Sequence, residues 1–230
     1  MDISSEQVYE ALAAKGVANI HHANSVITAC QFLRTGSLMS RGTVDRNGLF
    51  QTKQASDDID KKYGIWFDVF ADSVDIHDRA KWANKYGPVT FVLDIKLIEE
   101  ASTGRVWVTK LNPTKWEGKS REECWFSSAE DLKAYFVKGC FDQMIVFRHC
   151  GGILPFKDYL KEIILDNPKI KTEEDEVDYY SMAFGALRLS MTEGRIDVPL
   201  HKRVCPPECS CVADYQGDRV RTREMYLPKI

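Results

Sequence analysis

The sequence lacks several features that mark broad classes of protein. No apolar run approaches the roughly 18 residues that a membrane helix needs, so we expect no membrane partner. The opening segment MDISSEQVYEALAAKG has no basic stretch followed by an apolar core, which argues against a secretory signal. The net charge is only −3, whereas a dedicated duplex-binding domain is usually basic overall. Any contact with nucleic acid must therefore come from a local patch of charge.

Internal repeats and low-complexity segments are also absent, and the composition is near the globular average, with 44% apolar and 28% charged residues. A chain of 230 residues is long enough for one large domain. We predict that this domain covers residues 1–200 and is followed by a cysteine-containing tail, 201–230. The seven cysteines are an odd number and several lie in apparently ordered segments. That distribution is typical of reduced thiols in a cytoplasm and not of a disulfide framework.

The most informative stretch is 19–42, where a strand leads into a helix. A short extended run ends in His21 and His22. Ser25 is the predicted N-cap, because its hydroxyl can accept a hydrogen bond from a free backbone N–H of the next turn. The apolar residues that follow recur with helical spacing, and Gly36 stands where a left-handed C-cap is wanted. Such a helix start is a ready binding place for anions and phosphates.

This stretch resembles the first motif of the ADP-ribosyltransferases, and among them that of the DarT-type toxins, which modify nucleic acid. Their motif reads His-x-Thr, then an apolar pair and Gly-Leu. Here His22 takes the histidine position, Phe32–Leu33 the apolar pair and Gly36 the glycine. There are two departures, since Asn24 replaces the threonine and Ser37 separates the glycine from the leucine. The alternative is that the two histidines simply finish a strand, one inward and one solvated.

The resemblance implies an α+β fold with a split, mostly antiparallel β-sheet core of the ADP-ribosyltransferase type and surrounding helices. It also implies an enzyme that moves ADP-ribose from its substrate NAD to a nucleic acid acceptor, DNA or RNA. The setting would be a toxin or phage-defence system, with a possible antitoxin protein as partner. Composition and periodicity by themselves indicate only a mixed α/β globular protein.

The resemblance also implies which residues bind NAD. His22 would hold the adenosine-side ribose or the pyrophosphate, and Asn24 the nicotinamide side. Trp66 or Phe67 would stack on the nicotinamide ring. The remaining predicted contacts are Gly36, the basic Arg41 in a predicted loop over 37–55, and Lys62 where the family carries an arginine.

The family's catalytic carboxylate precedes an apolar strand. Alignment on the apolar run 144–147 puts Gln143 near the position of that glutamate and Asp142 one residue before it. We predict that Asp142 is the catalytic carboxylate, with Gln143 beside it, although an ordinary turn role for Asp142 is an equal alternative. Arg148 ends the same strand, where it would either clamp a phosphate or pair with a structural carboxylate.

Other functions remain open at this point. An RNA 2′-phosphotransferase of the same fold would bind a 2′-phosphate through Arg41 and Arg148, and a non-catalytic binding module would explain the missing glutamate. The acidic run 68–78, which contains His77, is compatible with a metal-dependent nuclease. Its spacing matches no common metal loop, so a polar loop that caps a helix is the favoured interpretation.

The tail carries a second group of possible metal ligands. Zinc prefers thiolates and imidazole, and the candidates are His201, Cys205, Cys209 and Cys211. The Cys-x3-Cys-x-Cys spacing is not the usual paired Cys-x2-Cys, and free thiols explain the residues equally well.

The remaining elements follow from periodicity and capping signals. Helices are predicted over 4–15, 78–85, 127–137 and 172–193, with a short helical turn over 57–62. Strands are predicted over 65–70, 89–95, 105–110, 144–147 and 162–165.

Overall fold

The structure is a computed structural model that describes residues 3–54, 56–100, 105–156, 158–172 and 176–227. Its α-helices are α1 Ser5–Ala14, α2 Val26–Thr35, α3 Arg41–Arg46, α4 Asp57–Lys62, α5 Ile76–Ala80, α6 Leu97–Glu100, α7 Arg121–Cys124, α8 Ala129–Tyr135, α9 Tyr179–Gly194, α10 Cys211–Gly217 and α11 Arg219–Tyr226, with a 3-10 turn at Pro113–Lys115. Its strands are β1 Asn19–Asn24, β2 Ser37–Met39, β3 Val69–Ala71, β4 Val89–Asp94, β5 Arg105–Val108, β6 Ile145–Arg148, β7 Ile153–Pro155, β8 Leu160–Leu165 and β9 Leu200–Lys202.

The strands of the described residues form a divided sheet system. One sheet has the order β1-β4-β8-β9, a second has the order β3-β6-β5, and β2 pairs with β7. Every pairing is antiparallel except that of β8 with β9. An isolated bridge between His21 and Asp72 joins the first two sheets where β1 meets the end of β3. The predicted α+β fold with a split, mostly antiparallel core is confirmed.

The core explains why the central strand reads as a continuous apolar run. Five of the six residues of β4 are buried, since the strand is paired on both edges and covered on both faces. Helix α2 packs against α9 so closely that a Cβ at Gly194 would lie 1.9 Å from the carbonyl oxygen of Leu33. Only glycine fits there, and the contact fixes the helix that follows β1.

The C-terminal segment is part of the same hydrophobic core. Cys211, Tyr215, Met225 and Tyr226 belong to the cluster that also holds β4 and α2. The Tyr226 hydroxyl donates to the carbonyl oxygen of Asp166 at 2.9 Å. Helices α10 and α11 thereby lie against the end of β8.

Local capping signals were read correctly at some helix ends and not at others. Ser4 and Gln7 form the predicted capping box, and Gly36 is the left-handed C-cap of α2, with φ of 63°. Ser25 is at the N-cap of α2, but its hydroxyl lies 3.1 Å from Thr28 Oγ1 and makes no bond to the backbone. The N-cap of α8 is Ser128, one position after Ser127, where the predicted helix begins.

Several predicted boundaries were wrong because distant partners set them. The predicted loop over 37–55 contains β2, which pairs with β7, and α3, which Ser40 caps. Only the last two residues of the strand predicted over 65–70 belong to β3. The residues before them form a turn, in which Asp68 N–H donates to the carbonyl oxygen of Ile65. The helix predicted over 78–85 is α5, which begins two residues earlier because Asp75 is its N-cap and ends already at Ala80.

The long helix predicted over 172–193 begins later, at α9, where Asp178 is the N-cap. Residues 173–175 of that prediction lie outside the described residues. In the described ranges, no helix combines the length and the apolar character that spanning a membrane requires.

Candidate functional site

A deep cleft opens where the two larger sheets meet. It encloses about 1060 Å³ when the open space up to its mouth is included. Its lining includes His21, His22, Asn24, Arg41, Asp60, Trp66, Asp68, Phe70, Ile76, Asn84, Tyr86, Thr90 and Asn112.

His22 lies in this lining and belongs to β1. Its Nδ1 is 2.7 Å from the carbonyl oxygen of Phe70, and its ring packs against Phe32 with 5.7 Å between ring centroids. Burial lowers the pKa of His22, although the contact with Phe70 opposes this shift. The neutral ring therefore donates from Nδ1 and keeps Nε2 as an acceptor. Nε2 is buried and has no partner among the described residues, which is costly unless a ligand supplies a donor.

His21 also lines the cleft, so β1 presents both histidines to it. Burial lowers the pKa of His21, and the nearby carboxylates of Asp75 and Asp72 oppose that shift in part. Its backbone makes both hydrogen bonds of the bridge to Asp72, at 2.9 and 2.8 Å. The His21 backbone thus ties β1 to the cleft wall.

Asn24 completes the turn from β1 into α2. Its Oδ1 accepts from the N–H of Ser25 at 2.9 Å, so the amide is held rigidly in the lining. The loop at Gly87, with φ of 147°, covers it so closely that a Cβ there would lie 2.1 Å from the Asn24 carbonyl carbon. Gly36 lies at the far end of α2, outside the lining, and its carbonyl accepts from Phe156 N–H at 3.1 Å. Gly36 therefore positions the helix.

Trp66 forms an aromatic wall of the cleft. Two cations lie over its ring: Lys61 Nζ is 4.5 Å and the guanidinium carbon of Arg41 is 5.7 Å from the ring centroid. Phe67 lies outside the lining with 46% of its surface exposed, and the Arg46 guanidinium stacks over it at 5.4 Å. The two aromatic rings thus serve different surfaces.

The predicted basic contacts are already paired with acids. Arg41 lines the cleft, but it makes a bidentate bond to Asp57 at 2.5 and 2.8 Å. Lys62 is exposed, pairs with Glu117 at 3.1 Å and lies outside the lining. A phosphate in the cleft would therefore compete with Asp57 for Arg41 and would not reach Lys62 directly.

The predicted catalytic group at the start of β6 lies behind the cleft wall. Asp142 is bound by Lys115 Nζ at 2.8 Å and accepts from Asn112 N–H at 3.3 Å, and it is Asn112 that lines the cleft. The Gln143 side chain accepts from Val137 N–H at 2.6 Å and lies outside the lining. The structure thus brings neither side chain together with His22.

Arg148 shares this position outside the lining. Its Nε lies 2.9 Å from Asp68 Oδ2, and the guanidinium carbon stacks 4.6 Å from the ring centroid of Trp107. Of the two roles open for Arg148, the geometry matches pairing with a structural carboxylate. Because Arg148 lies outside the lining and is paired with Asp68, the arrangement does not favour a 2′-phosphate site that needs both arginines.

A carboxylate that sequence reasoning missed does line the cleft. Asp60 in α4 is buried, with 9% of its surface exposed. Burial raises its pKa to about 6, and repulsion from Asp57 adds to this shift. The sequence shows only an acidic, exposed-looking helical turn there, so no local signal marks the residue. A perturbed carboxylate in a cleft is a candidate for chemistry.

The acidic run that suggested a nuclease is neutralised by arginines. Asp72 pairs with Arg79 at 2.9 Å, and Asp75 pairs with Arg203 at 2.7 Å. Asp75 also caps α5 by accepting from His77 N–H. These contacts agree with the favoured interpretation of the run as a capping loop.

Comparison with solved structures shows which known proteins have a similar fold. The chain is similar to DarT of Thermus sp. 2.9 in complex with ADP-ribosylated ssDNA, with 10% sequence identity and a TM-score of 0.50 over 82% of this chain and 95% of that chain. A structure of Thermus sp. 2.9 DarT in complex with NAD+ aligns at 11% identity and a TM-score of 0.46, over 81% of this chain and 96% of that chain. No family model matches the sequence, and no curated protein matches it. The resemblance drawn from the first motif is confirmed at the level of the fold.

Proposed function

We propose that the chain is an NAD-dependent ADP-ribosyltransferase that transfers ADP-ribose from NAD to a nucleic acid. The observation that carries the proposal is the neutral His22, whose Nε2 is buried without a partner among the described residues of the cleft. It occurs in a chain whose fold is similar to a DarT bound to ADP-ribosylated ssDNA. His22, Asn24 and Gly36 keep the order of the family motif within this fold.

The cleft residues fit NAD as a substrate. A ribose hydroxyl is the kind of donor that the free Nε2 of His22 lacks. The ring of Trp66 already attracts the cation of Lys61, and the positively charged nicotinamide ring is drawn to an aromatic face in the same way. Arg41 is the cation of the lining that a pyrophosphate would take over from Asp57. Asn24 offers an amide held in one orientation by Ser25.

The reaction breaks the bond between C1′ of the ribose and the nicotinamide nitrogen. The bonding electrons leave with nicotinamide, an oxocarbenium-like centre develops, and an acceptor atom of the nucleic acid attacks C1′ and loses its proton. Most of the rate comes from positioning and electrostatic stabilisation of that positive charge. We propose Asp60 as the stabilising carboxylate, because it lines the cleft and is ionised above its pKa of about 6. Asp142, the candidate from the sequence, is the alternative.

Phe67 and Arg46 support a nucleic acid acceptor. An exposed aromatic ring with a guanidinium stacked on it is a surface on which an unpaired base stacks. The pair lies beside the cleft, because Gly42 of α3 touches both Trp66 and Phe67. We propose single-stranded nucleic acid as the acceptor, since a stacked base must be free of its partner strand.

The test is transfer of label from NAD to defined acceptors. The pure chain is incubated with NAD labelled in the adenosine part and with single-stranded DNA, duplex DNA, RNA or a protein mixture. Label on a single-stranded polymer, released nicotinamide and loss of both in His22→Ala support the proposal. Label on protein alone, or cleavage of the polymer without NAD, would overturn it. His201→Ala is the matched control, because this exposed histidine pairs with Glu162 on β8.

We further propose a toxin or phage-defence role with an antitoxin partner, resting on the same resemblance. Expression of the chain should then arrest growth of a bacterial host, and His22→Ala should remove the arrest. Equal growth arrest by the parent chain and by His22→Ala would show that toxicity does not depend on the transferase activity.

A further inference from the structure

Four side chains from two distant parts of the chain form a compact ligand cluster outside the cleft. They are His77, Cys205, Cys209 and Cys211, and one ligand atom of each lies within 4.8 Å of all the others. Cys205 Sγ and Cys211 Sγ are 3.4 Å apart, and Cys209 Sγ is 3.7 Å from His77 Nδ1. We infer that this cluster, here called the Cys3His cluster, is a structural zinc site.

The distances match the chemistry of zinc. Ligands at about 2.3 Å for sulfur and about 2.0 Å for nitrogen, arranged as a tetrahedron, lie roughly 3.5–3.8 Å from one another. Cys3His is one of the standard closed ligand sets for structural zinc. A disulfide needs about 2.05 Å between sulfurs, so the separation of Cys205 and Cys211 is that of two thiols facing one ion.

The second nitrogen of the histidine is held as in other zinc sites. His77 Nε2 lies 2.9 Å from Asp166 Oδ2, and both side chains are almost fully buried. Donation from Nε2 to the carboxylate leaves Nδ1 as the unprotonated nitrogen that faces Cys209. A carboxylate behind the ligating histidine fixes its tautomer and increases its basicity.

Asp166 is itself fixed from other sides. It accepts from Tyr215 Oη at 2.6 Å and from Arg203 Nε. The same guanidinium donates to Thr90 Oγ1 at 3.1 Å, and Thr90 lines the cleft. The supporting shell of the Cys3His cluster therefore reaches the wall of the candidate active site.

The structure corrects the ligand set that sequence proximity suggested. His201 is four residues before Cys205, but its Nε2 lies 3.4 Å from Glu162 and its side chain is 56% exposed. His77 comes from α5 instead, more than a hundred residues earlier in the chain. The loop with the cysteines is anchored there, since Ser210 N–H donates to the carbonyl oxygen of Lys81 at 2.8 Å. The zinc would thus fasten the C-terminal segment to the helix that follows β3.

The first experiment measures metal content in the full chain purified under reducing conditions from zinc-supplemented medium. Elemental mass spectrometry should find about one zinc per chain. Cys209→Ser and His77→Ala should lose the zinc, whereas His201→Ala and Cys140→Ser should keep it. Asp166→Asn should bind zinc about 10–100-fold more weakly. Retention of zinc by Cys209→Ser, or its loss from His201→Ala, would overturn the assignment.

A second measurement covers variants that fail to fold. The parent chain, stripped of metal under reducing conditions, is titrated with Co²⁺, whose visible bands report a tetrahedral site and whose thiolate charge-transfer bands report sulfur ligands. Both band sets are expected, and added zinc should abolish them. A parent chain that carries no zinc and gives no such bands would overturn the proposal. So would a Cys205–Cys211 disulfide, found by mass spectrometry of the unreduced, alkylated protein.

Discussion

The Nδ1 of His22 in β1 lies 2.7 Å from the carbonyl oxygen of Phe70 in β3. A side chain of one sheet is thereby fixed by the backbone of another, and its remaining nitrogen is left for a ligand. The orientation of this ring therefore depends on the contact between the two sheets and not on the motif around it.

His22→Ala should abolish NAD binding, because it removes Nε2, which is buried in the cleft without a partner among the described residues. His21→Ala should cost much less, since the backbone of His21 and not its ring ties β1 to Asp72. Calorimetry with a non-hydrolysable NAD analogue measures both, and circular dichroism checks that the variants are folded. Equal loss in the two variants would refute the assignment of His22.

Asp60→Asn should keep NAD binding and lower turnover by a factor on the order of 10²–10³, the usual cost of losing one electrostatic stabiliser. Asp142→Asn should turn over nearly normally, because Lys115 and Asn112 engage its carboxylate outside the lining. Single-turnover transfer of ADP-ribose compares the two variants. If Asp142→Asn is inactive and Asp60→Asn is active, the carboxylate predicted from the sequence is the correct one.

Asp60 should also make stability depend on pH. Its folded pKa, raised by burial to about 6 from 3.8, means that the folded chain holds this proton more tightly than the unfolded chain does. The contribution of Asp60 to the free energy of unfolding should therefore fall as the pH rises from 4 to 6, by at most about 3 kcal/mol. Asp60→Asn should remove this fall and be more stable than the parent at pH 7. Urea unfolding at both pH values measures it.

Asp58→Asn is the control for that measurement, because Asp58 is an exposed position on the same helix. It should leave the pH dependence unchanged. An identical pH dependence in the parent and in Asp60→Asn would show that Asp60 titrates normally.

Gly42→Ala should weaken NAD binding through the aromatic wall. A Cβ at Gly42 would lie 2.6 Å from Trp66 Cδ1 and 2.8 Å from Phe67 Cδ1, so both rings must shift. Overpacking of this kind costs about 1–3 kcal/mol of stability. Gly185→Ala is the control, since no atom lies within 4 Å of its added Cβ. Thermal unfolding and NAD titration should show a loss in Gly42→Ala alone.

Magnesium should have no effect on transfer. The carboxylates of Asp68, Asp72 and Asp75 are already paired with arginines, so a hard cation gains little by displacing them. Rates measured with the protein as purified, in magnesium-free buffer and at millimolar magnesium, should coincide. A transfer rate that rises with magnesium would contradict this prediction, and cleavage of the polymer that needs magnesium but not NAD would favour the nuclease alternative.

What the sequence predicted well was local. The Ser4–Gln7 capping box and the left-handed Gly36 involve neighbours three or four residues apart, so their signals are complete within one turn. The central strand β4 was also found, because its apolar run is continuous. The motif of His22 and Asn24 was recognisable for the same reason, since it spans one strand-to-helix turn.

What it missed depends on contacts between distant residues. Asp60 is buried in a cleft whose lining also comes from β1, β3 and the segment at Tyr86, and an acidic helical turn gives no sign of this. His77 rather than His201 joins the cysteines because α5 and the C-terminal segment meet in space. The strand β2 has three residues, and its partner β7 lies more than a hundred residues later. No pattern within β2 identifies such a partner.

The network around Asp166 also sets an order of events during synthesis. Its carboxylate is buried with His77, Tyr215 and Arg203, and two of these three partners are translated well after β8. A nascent chain that has emerged only as far as residue 200 would lack Arg203 and Tyr215, the cation and the hydroxyl that bind this carboxylate, and a buried acid without its cation is strongly destabilising. Because chains emerge at roughly 5–20 residues per second, the cleft should remain unformed for a few seconds after β1, β4 and β8 have left the ribosome. An NAD-consuming activity would thus be delayed until its C-terminal helices have been made.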